Sequence, residues 1–244
     1  MDVTALRAAL DAHRRAVGLS PEGSADHAMH LTNLGAVLLD AAVVLPEEVG
    51  LDETVAVLEA AVAQTHAASP HRGGRWNNLA AALRTMADRS RADRSRAAAD
   101  AERAHTAFRE AVASSTPEAG LSAAVTWSSW SVERTAWPEI AEASTRALDT
   151  ADRLRRTQLT RGDRTSWLRR VEGLSAAGAH ADARLGDPAA AALLAERGRA
   201  LLLSDALDRD RTRLERLAAT RPDLAARFSA AAVAVRELES LRGV

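Results

Sequence analysis

A segment of this chain occurs twice, 45 positions apart, and that repetition constrains the fold more than any other feature of the sequence. Residues 31–38, LTNLGAVL, return at residues 76–83 as WNNLAAAL, and the apolar residues upstream of each copy also correspond. Self-similarity at a fixed period is typical of proteins that stack one supersecondary unit on the next. Because such arrays present an extended surface, the repetition favours a binding function over a buried catalytic pocket.

The composition favours helices along the whole chain. Hydrophobic residues make up 47% of the sequence, yet only 3% of all residues are aromatic, and alanine dominates. Small side chains let helices cross closely, and alanine has the highest helix propensity. The hydrophobic periodicity predicts an all-α chain with helices at residues 3–17, 25–44, 52–67 (capped by Asp52), 74–88, 96–114, 117–135, 138–156, 164–185, 188–208 and 222–241.

The charge balance and the absence of cysteine exclude several classes of function. With 32 basic and 33 acidic residues the net charge is −1, whereas nucleic-acid binders normally carry a basic field. Without cysteine there is no disulfide, thiolate metal site or cysteine nucleophile. The first residues lack the basic and apolar regions of a signal peptide. The longest apolar stretch, residues 35–45, contains Asp40 and is too short for a membrane span. We expect a soluble cytoplasmic protein with neither nucleic acid nor membrane as partner.

A five-residue block is duplicated in tandem. Residues 87–91, ADRSR, are followed directly by a second ADRSR at residues 92–96. The insertion explains why the second and third repeat units are spaced by 50 residues instead of 45. It predicts a lengthened connection or helix end. A basic patch for an acidic partner is the alternative, although each block also carries an aspartate.

The repeating unit resembles the tetratricopeptide repeat, a pair of antiparallel helices that cross at small residues. The small residues allow the close crossing, and a large residue fills the space between neighbouring units. The resemblance implies an α-solenoid, a right-handed superhelix of stacked helical hairpins. The matching sets are Leu31, Leu34, Gly35 and Trp76, Leu79, Ala80 in first helices, and Ala9, His13, Ala16, then Thr54, Leu58, Ala61, then Ala104, Phe108, Ala111 in second helices.

The later half of the chain is more divergent. Residues 127–143 fit a fourth unit, and Ala191, Ala195 and Gly198 fit the second helix of a fifth. We divide the chain into N-terminal repeats (1–90), divergent repeats (91–210) and a C-terminal capping or coiled-coil helix region (211–244). Equivalent small residues are spaced by 45, 50, 36 and 51 positions, measured along Ala16, Ala61, Ala111, Ala147 and Gly198.

A narrower resemblance is to the repeat region of actinobacterial proteins with a C-terminal CHAT domain, a caspase-like cysteine protease domain. It rests on residues 51–62, 75–79, 196–207 and 222–228, in the order of that family. The segment at 196–207, ERGRALLLSDAL, is the most specific because generic repeats lack it. The chain stops about where the protease domain would begin. The resemblance therefore implies only the helical, partner-binding part, without peptidase activity.

Polar residues on the first helices are the candidate partner site. The repeat resemblance places them on the concave groove, where an amide side chain offers a donor and an acceptor to an extended peptide. The alternative is a structural role, in which the asparagines bond to neighbouring helices. The candidate groove residues are Thr32, Asn33, Asn77, Asn78 and Arg84.

Arg84 raises the question of carboxylate recognition. An arginine two turns beyond Asn77 offers a charge-assisted hydrogen bond to a carboxylate. The preceding groove positions are Met29 and Gly74, however, so the sequence does not contain a full carboxylate clamp.

The tryptophans are a second candidate surface. Trp127 and Trp130 are three residues apart and so share one helix face, and Trp137 follows shortly. Core packing between units is the favoured interpretation, because the chain has two Phe and no Tyr to fill large spaces. An exposed aromatic shelf for a ligand is the alternative.

No pattern indicates a metal, a cofactor or an active site. His27 and His30 are three residues apart beside Asp26, with His66 and His71 near the equivalent turn. A zinc site needs three or four converging ligands, and the sequence contains no HExxH motif. It also lacks a glycine-rich phosphate loop and a GxSxG nucleophile motif. We predict no metal, no cofactor and no catalytic residue.

The last predicted helix carries one apolar stripe with a 4-3-4-3 spacing, which suits a partner helix. Packing back on the final unit is one interpretation, and capping the array or pairing two chains into a homodimer is the other. The stripe consists of Leu224, Phe228, Ala231, Val235 and Leu238.

Together these patterns predict a non-catalytic scaffold that binds a peptide or partner protein in a concave groove. In the context of the CHAT resemblance it would be the sensor or recruitment part of the system. The alternative is a small-molecule binder or biosynthetic accessory enzyme with a pocket inside the helical array, which would show a closed pocket instead of an open groove.

Overall fold

In the computed structural model, every regular element within the described residues, 2–157, 171 and 173–231, is helical. The all-α prediction is confirmed. A short 3-10 helix at Ser90–Ala92 precedes α5, and residues 222–231 are also helical. The helices are α1 (Val3–Leu19), α2 (Ala25–Val44), α3 (Leu51–Ala63), α4 (Arg72–Arg89), α5 (Arg94–Ser114), α6 (Pro117–Glu133), α7 (Trp137–Thr157), α8 (Leu174–Arg184) and α9 (Pro188–Thr220).

Short polar side chains begin several of these helices. Asp2, Ser24 and Asp93 each accept a hydrogen bond from a backbone N–H of the following first turn, at 2.9–3.1 Å. Such caps satisfy donors that have no partner within the helix. The predicted cap of α3 is wrong, because Gly50 occupies that position and Asp52 lies inside the first turn. There its charge still favours the positive end of the helix dipole.

The bounds of α2 agree with the prediction, whereas the later helices differ. Helix α3 ends at Ala63, four residues early, and α9 continues to Thr220, well beyond Asp208. The predicted helix at 164–185 does not continue through Gly173, which has a φ of 85° directly before α8. This left-handed conformation is accessible to glycine and ends a helix. The remainder of that prediction, at 164–170 and 172, lies outside the described residues.

The chain divides into two compact units, Met1–Ala195 and Glu196–Val244. In the first unit, successive helices from α1 to α7 pack against each other, and α7 packs against α8. The even-numbered helices also meet one another, with α2 against α4, α4 against α6 and α6 against α8. These helices therefore form one layer of the unit.

Ion pairs show that the odd-numbered helices α1 to α7 form the other layer. Arg14 of α1 pairs with Glu53 of α3 at 2.9 Å. Glu59 of α3 pairs with Arg103 of α5, and Arg109 of α5 with Glu142 of α7, also at 2.9 Å. Largely exposed pairs contribute only about 0–1 kcal/mol each, so they indicate which helices adjoin more than they stabilise the unit.

Glycines mark the tightest helix crossings. A β-carbon on Gly35 of α2 would lie 2.5 Å from Cγ of Leu58, a fully buried residue of α3. Gly178 of α8 meets Leu194 of α9 in the same way. The large residue that faces the glycine in that hairpin is Leu194, directly before Ala195 of the predicted second-helix set. Both hairpins cross where a small residue faces a buried leucine.

Helix α2 is the one described helix long and apolar enough, by length and composition, to cross a membrane, which the sequence analysis had not anticipated. Inside the protein, 44% of its most apolar window is buried. Leu31, Leu34 and Leu38 of α2 are buried, with at most 6% of each residue exposed. A core position accounts for the apolar character of this helix.

The duplicated ADRSR blocks form the junction between α4 and α5. The first block ends α4 and enters the 3-10 helix, and the second supplies Asp93, the cap of α5. Asp88, the aspartate of the first block, does not cap a helix but accepts a hydrogen bond from the indole N–H of Trp130 at 3.1 Å. The insertion therefore occupies a connection, where extra residues cost little.

Candidate functional site

A cleft of about 810 Å³ opens between the even-numbered helices of the first unit. The N-terminal halves of α2 and α4 form two of its sides. The connection at residues 64–71 and the junction between α5 and α6 close the others. Its lining is Gly23, Ala25, Asp26, Met29, Thr32, Asn33, Gln64, Thr65, His66, Ser69, Pro70, His71, Gly74, Arg75, Asn78, Ser115, Thr116 and Ala119.

The beginnings of α2, α4 and α6 all adjoin this cleft. A helix N-terminus exposes unpaired backbone N–H groups and the positive end of the helix dipole. Ser24 caps α2, but the cap residues of α4 and α6, His71 and Thr116, make no capping bond through their side chains. The donors in the first turns of α4 and α6 are therefore not used by side-chain caps.

Two amide side chains line opposite helices of the cleft. Asn33 of α2 is exposed and Asn78 of α4 is half-buried. Within the part of the chain that the structure describes, neither side chain makes a hydrogen bond, so both are free to meet a ligand. Thr32 also lines the cleft, but its hydroxyl donates to the carbonyl of Ala28 at 2.7 Å.

Arg75 is a buried cation on the lining of the cleft. Only 7% of the residue is exposed, and its guanidinium donates to the hydroxyl oxygen of Thr65. That hydroxyl donates onward to the carbonyl of Ala61 at 2.6 Å. Among the described residues no carboxylate lies within 4.0 Å of the Arg75 guanidinium. Burial without a counter-charge lowers the pKa of Arg75.

The neighbouring arginine already serves the end of α3. Arg72 donates to the carbonyl oxygen of Thr65 at 2.6 Å, and its guanidinium lies 5.8 Å from the ring centroid of Trp76. A cation bound to carbonyls at a helix C-terminus is a favourable arrangement. Arg75 is therefore not needed for that purpose.

The structure brings together three of the five predicted groove residues. Thr32, Asn33 and Asn78 line the cleft, whereas Asn77 and Arg84 are half-buried on α4 outside the lining.

Arg75 is a lining residue that was not predicted from the sequence. A signal was available, because Arg75 occupies the same helix stripe as Leu79, Leu83 and Met86, which are all buried. A charged residue on an otherwise buried, apolar helix stripe is unusual and therefore indicates a specific role.

Trp127 and Trp130 belong to the core of the first unit. They are 0% and 1% exposed, so the alternative of an open ligand shelf is wrong for these two rings. Phe108 of α5 stacks on Trp127 with ring centroids 6.3 Å apart and lies 6.1 Å from Trp130. Trp137 is half-buried, with the ring of His180 at 5.3 Å and the guanidinium of Arg184 at 5.1 Å.

Carboxylates satisfy both buried indoles. The Nε1–H of Trp127 donates to Glu139 at 3.1 Å, and that of Trp130 donates to Asp88 at 3.1 Å. Glu139 also pairs with Arg134 at 2.6 Å, and the Arg134 guanidinium lies 3.5 Å from the centroid of the Trp130 ring. This network uses its charges internally, so it is a packing arrangement.

No three His, Cys, Asp or Glu side chains of the described residues converge as a metal site would require. His27 is 7% exposed, and its Nδ1 lies 3.0 Å from the hydroxyl of Ser20. His66 and His71 both line the cleft. His66 accepts a hydrogen bond from the backbone N–H of Ala68 at 3.1 Å.

The predicted C-terminal stripe is described only in part. Leu224 is half-buried, and Phe228 is 54% exposed within helical residues 222–231. Val235 and Leu238 lie outside the described residues.

Glu142 joins three cationic or polar side chains and gives a pH-dependent prediction. Burial alone would raise the pKa of Glu142, but the hydrogen bonds from His105 and Arg146 and the charge of Arg109 outweigh burial and lower it. A lowered pKa contributes stability that is present above the unfolded value, about 4.3, and is lost as the pH falls through the folded value.

We expect Glu142→Gln to lower the free energy of unfolding at pH 7 by on the order of 1 kcal/mol. The difference between variant and wild type should shrink as the pH falls below the unfolded value of about 4.3 and through the lowered pKa of the native Glu142 carboxylate. Urea unfolding at pH 7, 5 and 3.5 measures it, with the exposed Glu110→Gln on α5 as control. A difference that stays constant over this range would contradict the assignment.

Comparisons of the chain with protein-family models, with curated proteins and with solved structures find no match.

Proposed function

We propose that this chain is a non-catalytic scaffold that binds a peptide or partner protein in the cleft formed by α2, α4 and α6. The observation that carries the proposal is the pair of amides, Asn33 and Asn78, which line the same cleft and make no side-chain hydrogen bond to any described residue. An amide pairs with a peptide backbone as both donor and acceptor. Two such amides on adjacent parallel elements suit an extended chain.

The packing of the first unit supports an array of tetratricopeptide-like hairpins. Each even-numbered helix from α2 to α6 contacts the next even-numbered helix, and the ion pairs connect α1, α3, α5 and α7 in sequence. Units that contact only their neighbours are the basis of a solenoid. With the resemblance to the repeat region of CHAT-domain proteins, we propose that the scaffold recruits or senses a cytoplasmic target for a protease-like effector.

A small-molecule site is the second candidate. Pockets for small ligands usually measure roughly 300–1,000 Å³, and the cleft is within that range at about 810 Å³. Two histidines, His66 and His71, contribute rings to the same lining. A compact ligand would contact the connection at 64–71, whereas a peptide would also need the amides on α2 and α4.

Selection of peptides from a displayed random library against the whole chain tests the proposal. For a selected peptide, Asn33→Ala and Asn78→Ala are each expected to weaken binding by about three- to tenfold, the value of one neutral hydrogen bond. Asn77→Ala is the matched control, because it removes the adjacent amide of α4 from outside the lining.

Equal losses in all three variants, or equal binding in all three, would overturn peptide binding in this cleft. Failure to select any peptide, together with saturable binding of small molecules at His66 and His71, would favour the second candidate. Isothermal titration calorimetry gives the affinities for both cases.

A further inference from the structure

The geometry points to an oxyanion, a carboxylate or a phosphate, as the group that the cleft binds at Arg75. This inference rests on the proposed function, since it names the chemical group that the bound partner presents. Arg75 is 7% exposed and lines the cleft. Its single hydrogen bond within the described protein is to a hydroxyl.

The charge of Arg75 is the main argument. Charged side chains are almost never buried unless they are paired. A guanidinium carries five N–H donors and does not lose its proton near neutral pH. Thr65 takes one of the five, so the remaining donors are available to a ligand in the cleft. A carboxylate or phosphate can accept two of them in parallel.

Two helix ends add to the positive potential around this arginine. Helices α4 and α6 begin at the cleft with 18 and 17 residues respectively, and neither has a side-chain cap. Uncapped helix N-termini favour anions through their N–H groups and their dipoles. Ser115 adds a hydroxyl to the same lining.

The other titratable groups on the lining set the preferred charge of the ligand. His66, His71 and Asp26 face the cleft with Arg75. No ion pair joins Asp26 to Arg75 within the described residues, so the aspartate does not neutralise the arginine. Its negative charge opposes a second charge on the ligand. We therefore expect a monoanionic carboxylate to bind more tightly than a phosphate dianion.

A structural role at the end of α3 is the competing explanation of Arg75. Arg72 already donates to the carbonyl oxygens of Val62 and Thr65. Arg75 contacts only the Thr65 hydroxyl, which has its own acceptor in Ala61. Satisfying the end of α3 therefore does not require a second buried cation.

The test is a titration of the full-length chain with sodium acetate or inorganic phosphate, followed by amide NMR shifts. Sodium chloride at matched ionic strength gives the reference. In the wild type we expect saturable shifts at residues 64–78 and 115–119. Arg75→Met should weaken anion binding by roughly 10- to 100-fold, the value of a charge-assisted hydrogen bond. Arg84→Met, on the same helix outside the lining, should bind as the wild type does.

Shifts that persist in Arg75→Met, or that never saturate in the wild type, overturn the inference. If Arg75→Met does not fold, Arg75→Lys keeps the charge but loses the planar fork, and it should bind acetate about tenfold more weakly. Acetate binding tighter than phosphate identifies the carboxylate, and the reverse order identifies the phosphate.

The outcome is separable from that of the proposed function. Selected peptides that bind equally with a C-terminal acid or amide, lack acidic or phosphorylated side chains and are unaffected by Arg75→Met would leave the scaffold intact. That result would contradict the binding of an oxyanion at Arg75. Saturable acetate binding, without selection of any peptide, would support oxyanion binding at Arg75 and contradict peptide binding in the cleft.

Discussion

Replacing Trp127 by alanine is expected to lower the free energy of unfolding by about 3–5 kcal/mol, the range for large aromatic residues in a core. The residue is fully buried, and it contacts both helices beside its own. Phe108 of α5 stacks on its ring, and Glu139 of α7 accepts its N–H at 3.1 Å. The truncation therefore leaves a cavity and removes one of the hydrogen bonds to the half-buried carboxylate of Glu139.

Trp127→Phe separates the two contributions. It keeps a six-membered aromatic ring but removes the N–H, and we expect a loss of about 1–3 kcal/mol because the hydrogen bond to the Glu139 carboxylate is lost, while those from Ser131 and Arg134 remain. Trp76→Ala is the comparison at the edge of the core, because Trp76 packs against the same cluster but is only half-buried, so its loss should cost less. Guanidinium chloride unfolding measures all three. A Trp127→Ala variant no less stable than Trp76→Ala would refute the role of this tryptophan in the core.

The tryptophan pair shows what periodicity predicts and what it leaves open. Three-residue spacing places Trp127 and Trp130 on one face of α6. Whether that face is covered depends on α5 and α7, which reach it through contacts from elsewhere in the chain. Phe108 is 19 positions before Trp127, and Asp88 is 42 positions before Trp130. Spacing along one helix does not contain this information.

The helices themselves were largely predictable, because most carry a local signal at each end. Helix α2 begins after its cap Ser24 and ends shortly before Pro46, and its bounds agree with the prediction. Helix α9 was predicted to end at Asp208, yet it continues to Thr220 through a stretch of alternating charges. Alternating charges on a helix can pair three or four residues apart, so they do not indicate where it ends.

The cleft was predictable only where the repeat pattern reaches it. The pattern located Thr32, Asn33 and Asn78 on the first helices. It also proposed Arg84 for an anionic ligand, since two turns separate it from Asn77, and overlooked Arg75. The difference is burial: Arg75 lies on the stripe of α4 that packs inward, next to the end of α3. The place of a residue within the repeat motif does not show which end of another helix packs against it.

Replacing each of two adjacent glycines of α4 by alanine is expected to change the stability of the chain in opposite directions. A β-carbon on Gly73 would lie 2.6 Å from the backbone nitrogen and Cα of Ser115, whereas one on Gly74 would meet nothing within 4 Å. Backbone atoms cannot turn aside as a side chain can. Gly73→Ala is therefore expected to destabilise the chain by about 1–3 kcal/mol or more.

Gly74→Ala is the matched control at the next residue of the same helix. Alanine has a helix propensity about 1 kcal/mol better than glycine, so this variant should be neutral or up to about 1 kcal/mol more stable. Thermal and urea unfolding of the two variants measure the difference. Equal effects of the two substitutions would mean that Gly73 of α4 does not lie against the backbone of Ser115 at the junction of α5 and α6. That approach also brings Ser115 to the lining beside Arg75, so Gly73→Ala should weaken acetate binding even under conditions in which the variant is fully folded.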